Sequence, residues 1–131
     1  MKSKWITHDG AHILYCDFRD FAHDVAALKA EVDEVDEEMI RQPPGSVLAL
    51  ADLRGTFTST EGVNLFKASA TRTKVHISKQ AVVGISGIQK VLAQGVAWFS
   101  GQSLHLFDGA EQALAWLAKG EGGGVELKGG R

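Results

Sequence analysis

The apolar positions near the start of the chain predict an antiparallel pair of strands. Residues 5–8 and 11–16 are both strand-like runs, and they flank the dipeptide Asp9-Gly10. Asp-Gly between two such runs is a strong signal for a two-residue type I′ hairpin. In that hairpin, His8 and His12 point to opposite faces of the sheet, because successive side chains of a strand alternate.

A long amphipathic helix is predicted next, over residues 20–42. Its apolar residues recur at steps of three and four, which places them in one stripe along the helix. Pro43-Pro44-Gly45 ends it, because proline cannot continue the hydrogen-bond ladder and restricts the residue before it. The stripe consists of Phe21, Val25, Leu28, Val32, Val35 and Met39.

Three strand-then-helix units follow the prolines. Their strands, at residues 47–50, 81–85 and 104–107, are apolar without alternation, which is typical of parallel strands covered by helices on both faces. Capping-box patterns predict the helix starts. The N-cap and N3 pairs are Thr58 and Glu61, Ser86 and Gln89, and Asp108 and Glu111.

The last two helices carry apolar residues that we expect to be buried. Gly95 is expected to permit close packing of the third helix. The third helix should bury Ile88, Val91, Leu92, Gly95 and Phe99, and the last should bury Ala110, Ala113, Leu114 and Leu117.

These elements predict one α/β domain over residues 1–119. Its sheet should have five mostly parallel strands, an N-terminal antiparallel hairpin and four helices. Residues 120–131 are half glycine, so we expect a flexible tail there.

Composition argues against several classes of protein, namely nucleic-acid-binding, membrane-spanning and secreted ones. The chain has 131 residues and a pI near 6.2, without the basic and aromatic stripe of a nucleic-acid-binding surface. No apolar run approaches the ~18 residues that a membrane span needs, and the first residues lack a signal peptide's apolar stretch. We therefore expect a cytoplasmic protein that binds no nucleic acid. A lone Cys16 within a strand is expected to be a small core residue.

Charge is divided unevenly along the chain. Residues 1–65 hold six Lys or Arg and twelve Asp or Glu, whereas residues 66–131 hold eight and four. The acidic run is either a solvated helix face or a surface for self-association. If these charges form an interface, together with Trp116 off its helix's apolar stripe, we expect a homodimer that salt weakens.

The motifs for catalysis and for cofactors are weak. No metal-binding spacing accompanies the five histidines, and no glycine-rich phosphate loop links a strand to a helix. The segment 84–88 resembles a nucleophile elbow, but Ile88 replaces its last glycine, so Ser86 is interpreted as a helix cap. The sequence therefore predicts a protein that is not an enzyme, with no metal and no cofactor.

The loop after the second buried strand is the strongest candidate for a functional site. Four hydroxyl residues lie within five positions at a helix start. A phosphate added at Ser59 or Thr60 would meet free backbone N–H groups there. The predicted partner- or phosphate-binding residues are Gly55, Thr56, Thr58, Ser59, Thr60 and Glu61.

Taken together, the element order and several short motifs resemble a known family. The pattern over residues 4–119 resembles the SpoIIAA-like (STAS/SEC14-like) family of bacterial proteins, which is related to the STAS-domain anti-sigma-factor antagonists. The motifs are Gln42-Pro43-Pro44-Gly45-Ser46-Val47, Ala51-Asp52-Leu53-Arg54-Gly55, Ala81-Val82-Val83-Gly84, Phe99-Ser100-Gly101 and Leu106-Phe107-Asp108.

The antagonists carry a phosphorylated serine in the corresponding loop. Matching Phe57 and Gly62 to that motif implies Thr60 at the phosphoacceptor position. Ser59 then stands where the family has aspartate, and Glu61 stands at the second serine. The resemblance implies a non-catalytic STAS domain that works by protein binding, through the loop and helix start at residues 55–62.

The SEC14-like part of the resemblance implies a second hypothesis, a carrier or sensor of a lipid-like small molecule bound between the sheet and the second helix. Cations near apolar side chains would hold an anionic headgroup there. The residues of this ligand or anion site are Phe57, Phe66, Lys67, Arg72, Lys74, Ser86 and Gly87.

Overall fold

The chain begins with the predicted hairpin. The computed structural model describes residues 1–57 and 59–130, and it pairs strand β1 (Lys4–His8) antiparallel with β2 (Ala11–Asp17). Asp9 and Gly10 both have positive φ, as a type I′ turn requires. The predicted hairpin is thus confirmed.

Four parallel strands form the middle of the sheet. After β2 come β3 (Val47–Asp52), β4 (Ile77–Val83) and β5 (Leu104–Phe107), each parallel to its predecessor. A further strand, β6 (Val125–Leu127), pairs antiparallel with β5. The described sheet therefore has six strands rather than five, in the order β1 to β6. The sequence pattern does not predict β6, because three residues beside a run of glycines are too few to show the periodicity of a strand.

Four α-helices within the described residues cover the two faces of this sheet. They are α1 (Val25–Ile40), α2 (Thr60–Thr73), α3 (Ile88–Ser100) and α4 (Ala110–Lys119). Because the three parallel crossovers all step in one direction and share one hand, α1, α2 and α3 lie on the same face. Helix α4 covers the other face, where it contacts β2 to β5. The predicted α/β fold is confirmed.

Helix α1 begins later than predicted. Asp20 and Ala22 have positive φ, which ends any helical path before residue 23. The N-cap is Asp24, whose carboxylate accepts a hydrogen bond from the backbone N–H of Ala27 at 3.0 Å. The prediction of a start at residue 20 was wrong, because Phe21 continues the apolar spacing although its backbone belongs to a loop.

The other three helices begin one residue later than predicted. Their N-caps are Ser59, Gly87 and Gly109 instead of Thr58, Ser86 and Asp108. Thr58 itself lies outside the described residues. The side chain of Gln89 donates to the carbonyl of Thr56 at 3.3 Å and does not close a box with Ser86.

Helix α3 buries a different face from the predicted one. Its buried residues are Val96, Ala97 and Ser100, whereas Ile88, Val91 and Phe99 are at least half exposed. A Cβ added at Gly95 would meet no heavy atom within 4 Å, so this glycine does not serve close packing. The side on which periodicity places the large apolar residues is turned outward, so periodicity alone does not identify the buried side of this helix.

Charged side chains of α1 are largely used within the chain. Glu31 accepts hydrogen bonds from the backbone and the hydroxyl of Ser3, and Asp36 accepts from Ser69 and Arg72 of α2. Asp33, Glu34 and Glu38 also have ion-pair partners inside the chain. Trp116 is only 8% exposed and stacks on His105, so its predicted place at an interface was wrong.

Candidate functional site

Paired acidic residues mark the carboxyl ends of β2 and β3. Asp17 and Asp52 are register partners in these parallel strands. Arg19 folds back onto Asp17 with Nε 3.0 Å from Oδ1, and Arg54 folds back onto Asp52 with Nη2 2.6 Å from Oδ2. The hydroxyl of Tyr15 donates to the same Oδ2 of Asp52 at 2.7 Å. These two Asp-x-Arg units join the strand ends into one polar network.

Asp52 is fully buried at the centre of this network. Burial by itself raises the pKa of a carboxyl, but the hydrogen bonds from Arg54 and Tyr15 outweigh it and hold the pKa of Asp52 below its ordinary value. Burial and the hydrogen bond to Asp52 raise the pKa of Tyr15 to about 12. Asp52 is therefore ionised, and its carboxylate accepts hydrogen bonds from the neutral hydroxyl of Tyr15 and the cationic guanidinium of Arg54.

The loops that leave β2 and β3 run side by side. The backbone N–H of Asp20 donates to the carbonyl of Arg54, that of Ala22 to Gly55, and that of Phe57 to Ala22, all within 3.0 Å. Gly55 has φ +78°, and a Cβ there would lie 2.3 Å from Oδ1 of Asp20. This segment therefore needs glycine both for its backbone conformation and for the close approach of the neighbouring loop.

Thr56 locks the two loops together. Its side chain is buried, donates to the carbonyl of Phe18 and accepts from the backbone N–H of Phe21 at 3.0 Å. The hydroxyl is thus used inside the chain. Of the predicted recognition residues, Thr56 is a clamp beneath the loop and not part of its surface.

The remaining described residues of the predicted loop site, Gly55, Ser59, Thr60 and Glu61, are exposed, and so is Phe57, which was predicted for the ligand site. Phe57 is 52% exposed and stacks on His23, with the ring centroids 5.2 Å apart. Ser59 is exposed, and its hydroxyl accepts from the backbone N–H of Gly62 at 3.3 Å. Thr60 and Glu61, in the first turn of α2, are exposed to solvent. Phe57, Ser59, Thr60 and Glu61 are called the recognition segment below.

An apolar cavity of about 110 Å³ lies between the sheet and the helices α2 and α3. Its polar edge includes Asp36, whose pKa burial raises even though Ser69 and Arg72 hydrogen-bond to the carboxylate. Within the described residues, no buried side-chain nitrogen or oxygen lacks a hydrogen-bond partner. The apolar lining includes Cys16, Val63, Phe66, Leu92, Ala93 and Val96.

The residues predicted for an anionic ligand do not come together at this cavity. Phe66 lines it, but Phe57, Ser86 and Gly87 do not. Arg72 is bound to Asp36, and Lys67 lies over the ring of Phe99 at 5.2 Å. The predicted set is therefore split among the cavity, an ion pair and the surface, and Lys74 lies in the short 3₁₀ helix Lys74–His76.

The residue patterns predicted neither the carboxylate network nor most of the cavity's lining, although the family resemblance had implied a ligand between the sheet and the second helix. The repeated Asp-x-Arg spacing at residues 17–19 and 52–54 is a signal that was available for the network. The cavity had no such signal, because its lining comes from all four parallel strands and three helices. Within the same described residues, no group of three or more His, Cys, Asp or Glu side chains could hold a metal ion. None of the helices described is long and apolar enough to cross a membrane.

Comparison with known proteins identifies the family. The family model described as SpoIIAA-like matches residues 6–118, which is most of the chain. Neither the curated proteins nor the solved structures include a match. The matched range contains the end of β1, all of β2 to β5, nearly all of α4, the Asp-x-Arg network and the recognition segment. The chain therefore belongs to the SpoIIAA-like family.

Proposed function

We propose that this protein is a non-catalytic regulatory module and that a partner protein recognises the segment from Phe57 to Glu61. One observation carries the proposal: exposed aromatic, hydroxyl and carboxylate side chains follow directly on a loop that buried hydrogen bonds hold in place. Thr56, Gly55 and the Asp52–Arg54 pair hold the start of the segment. Rigid presentation favours binding, because less conformational entropy is lost on association.

Phosphorylation of the recognition segment, which would add negative charge to it, is the means of regulation that we propose. Thr60 is the first residue of α2, where backbone N–H groups lack partners within the helix and the helix dipole is positive. A phosphate on Thr60 would be stabilised there, whereas Glu61 beside it would oppose the added charge. The likeness of this loop to the antagonists' phosphorylated loop supports the same role for Thr60.

Quantitative affinity capture from cells tests this function. Phe57→Ala and Thr60→Glu should each lower the recovery of one partner at least about tenfold, as expected for loss of an anchor residue or for added charge. Thr71→Ala and Thr71→Glu are matched controls, because Thr71 is exposed on the same helix away from the segment. Equal recovery of every captured protein with all four variants would contradict the proposal.

A second candidate function is the binding of a small apolar ligand, and the cavity favours it. Its volume is somewhat below the roughly 150 Å³ of an engineered core cavity that binds benzene. A ligand about as large as benzene fits with little movement of the protein. A ligand with a long acyl chain would require α2 and α3 to separate. No lysine or arginine is among the described residues that line the cavity, which favours an apolar ligand over an anionic one.

Native mass spectrometry of the purified protein, together with thermal unfolding in the presence of benzene, tests this candidate. Benzene should raise Tm for the unchanged protein and for Ala68→Phe, an exposed position on α2 outside the lining. Ala93→Phe should abolish that rise by filling the cavity. A bare protein mass together with an unchanged Tm would rule out ligand binding here.

A further inference from the structure

A surface cleft of about 460 Å³ opens at the carboxyl ends of β4 and β5, and it is called the β4–β5 cleft below. The two strands are adjacent and parallel, but the helices that follow them, α3 and α4, lie on opposite faces of the sheet. The connections to these helices therefore diverge and leave a crevice. Open α/β sheets bind small ligands in a crevice of this kind. The volume is within the range of roughly 300–1,000 Å³ that is usual for ligand sites.

Residues beyond the family match close one side of the β4–β5 cleft. The family model ends at residue 118, and the segment that leads into β6 lines the cleft from Glu121 to Val125. Nδ1 of His105 donates to the carbonyl of Gly123 at 2.8 Å. Gly124 has φ +59°, and a Cβ there would overlap the carbonyl oxygen of Leu106, so this position needs glycine to lie so close to β5. This wall of the cleft is thus a feature of this chain outside the residues that the family model matches.

Charged side chains of both signs line the β4–β5 cleft. Lys90 lies in the first turn of α3, Asp108 follows β5 and Glu121 follows α4. All three are exposed, and none of the salt bridges among the described residues involves them. Because the lysine neutralises neither carboxylate within the chain, one positive and two negative groups remain to bind a ligand.

Apolar side chains form most of the remaining lining of the cleft. Leu106 and Phe107 are buried at the end of β5, and Ile85 and Ala115 are half-buried. A short aliphatic chain can pack against such side chains while its charged ends stay in polar surroundings. The complementary ligand therefore has two cationic groups, one carboxylate and an aliphatic chain, which are the groups of a basic amino acid.

We propose that the β4–β5 cleft binds a free basic amino acid such as L-lysine. Lys90 pairs with the carboxylate of the ligand, and Asp108 and Glu121 bind its two cationic groups. An acidic amino acid or a phosphate compound would instead bring further negative charge to two carboxylates. The cleft shares only Ile85 with the apolar cavity and no residue with the recognition segment. This role is therefore independent of both candidate functions above.

NMR titration of the isotope-labelled protein with L-lysine tests the site, and the backbone amides of residues 122–124 are the local probe. Three related compounds each lack one group: cadaverine lacks the carboxylate, L-norleucine the side-chain amine and Nα-acetyl-L-lysine the α-ammonium. Each should bind at least about fivefold more weakly than L-lysine, because each loses one ion pair. No shift with L-lysine at millimolar concentration, or equal affinity for all four compounds, would overturn the proposal.

Substitutions assign each group of the ligand to its residue. Lys90→Gln should weaken the binding of L-lysine about fivefold but should not weaken that of cadaverine, which has no carboxylate. Asp108→Asn and Glu121→Gln should weaken the binding of both compounds. Glu111→Gln and Lys4→Gln, at exposed positions outside the lining, are the matched controls and should leave both affinities unchanged. Equal effects of the cleft variants and the controls would contradict the site.

The wall of the cleft is tested by one more pair of variants. Gly124→Ala should displace the segment from β5 and abolish the binding of L-lysine. Gly45→Ala is its control, because Gly45 has a similar φ of +67° and an added Cβ there would meet nothing within 4 Å. It should leave the affinity unchanged. Full binding by Gly124→Ala would show that the segment is no part of the site and would overturn the proposal.

Discussion

Asp17 and Asp52 lie opposite each other at the ends of two adjacent parallel strands, and each carboxylate is held by the arginine two residues further along the chain. Hydrogen bonds from Arg19 hold the pKa of Asp17 below its usual range. Both carboxylates are therefore ionised. The hydrogen bonds to them lie at the strand ends, where the following loops begin to pair.

Asp52→Asn should destabilise the protein by about 1.5–3 kcal/mol, because a neutral amide weakens the hydrogen bonds that the buried carboxylate accepts from Arg54 and Tyr15. Since folding lowers the pKa of Asp52, its contribution is complete above the unfolded value of about 3.8 and is lost as pH falls through the folded value. Urea unfolding at several acidic pH values should show a shallower loss of stability for the variant. Parallel pH profiles for the two proteins would contradict this role.

Tyr15 should ionise only near pH 12 in the folded protein, and its ionisation can be measured separately because the chain has one tyrosine. The unfolded chain should ionise near the ordinary value of about 10. The folded state retains the proton more tightly, so stability should fall as pH rises from about 10 toward 12. Ultraviolet titration of the phenolate checks this, and a native midpoint near 10 would be incompatible with the hydrogen bond to Asp52.

Thr56→Val should cost about 1–3 kcal/mol of stability, because it leaves the carbonyl of Phe18 and the N–H of Phe21 without their buried partner. Thr56→Ser is the matched control, since it keeps the hydroxyl and should lose less. Urea denaturation of the three proteins measures the difference. If valine and serine had the same effect, the clamp would contribute no hydrogen-bond energy.

Gly84→Ala should be more destabilising than Gly87→Ala, although both glycines have positive φ. A Cβ at Gly84 would lie 2.5 Å from the backbone nitrogen of Arg54, whereas one at Gly87 would meet nothing within 4 Å. Gly87→Ala should cost about 1–3 kcal/mol for the backbone conformation alone, and Gly84→Ala should add the cost of moving the loop at Arg54. Thermal unfolding would refute this if the two Tm values fell equally.

Cys16 should not react with thiol reagents in the folded protein. It is 1% exposed, and burial raises the pKa of its thiol well above the ordinary value, so the reactive thiolate is scarce. Ellman's reagent should label it only after denaturant is added. Rapid labelling under native conditions would show that the cavity beside Cys16 opens to solvent.

The sequence by itself determined the elements from β1 to α4 and their order. Asp9-Gly10 predicted the hairpin because a type I′ turn requires two residues that tolerate positive φ. Unbroken apolar runs predicted the parallel strands, and the stripe from Leu28 to Met39 predicted the buried side of α1. These predictions succeeded because each depends on neighbours close in the chain.

Only the tertiary structure decided which surfaces meet. Trp116 is buried against His105, Asp36 is bound by Arg72, and β6 completes the sheet beside β5, all through contacts between distant positions. Helix α3 shows the reason most clearly. Its larger apolar residues, among them Ile88 and Val91, lie on the exposed side, so the packing of the whole domain and not the apolar stripe determines that Val96 is buried.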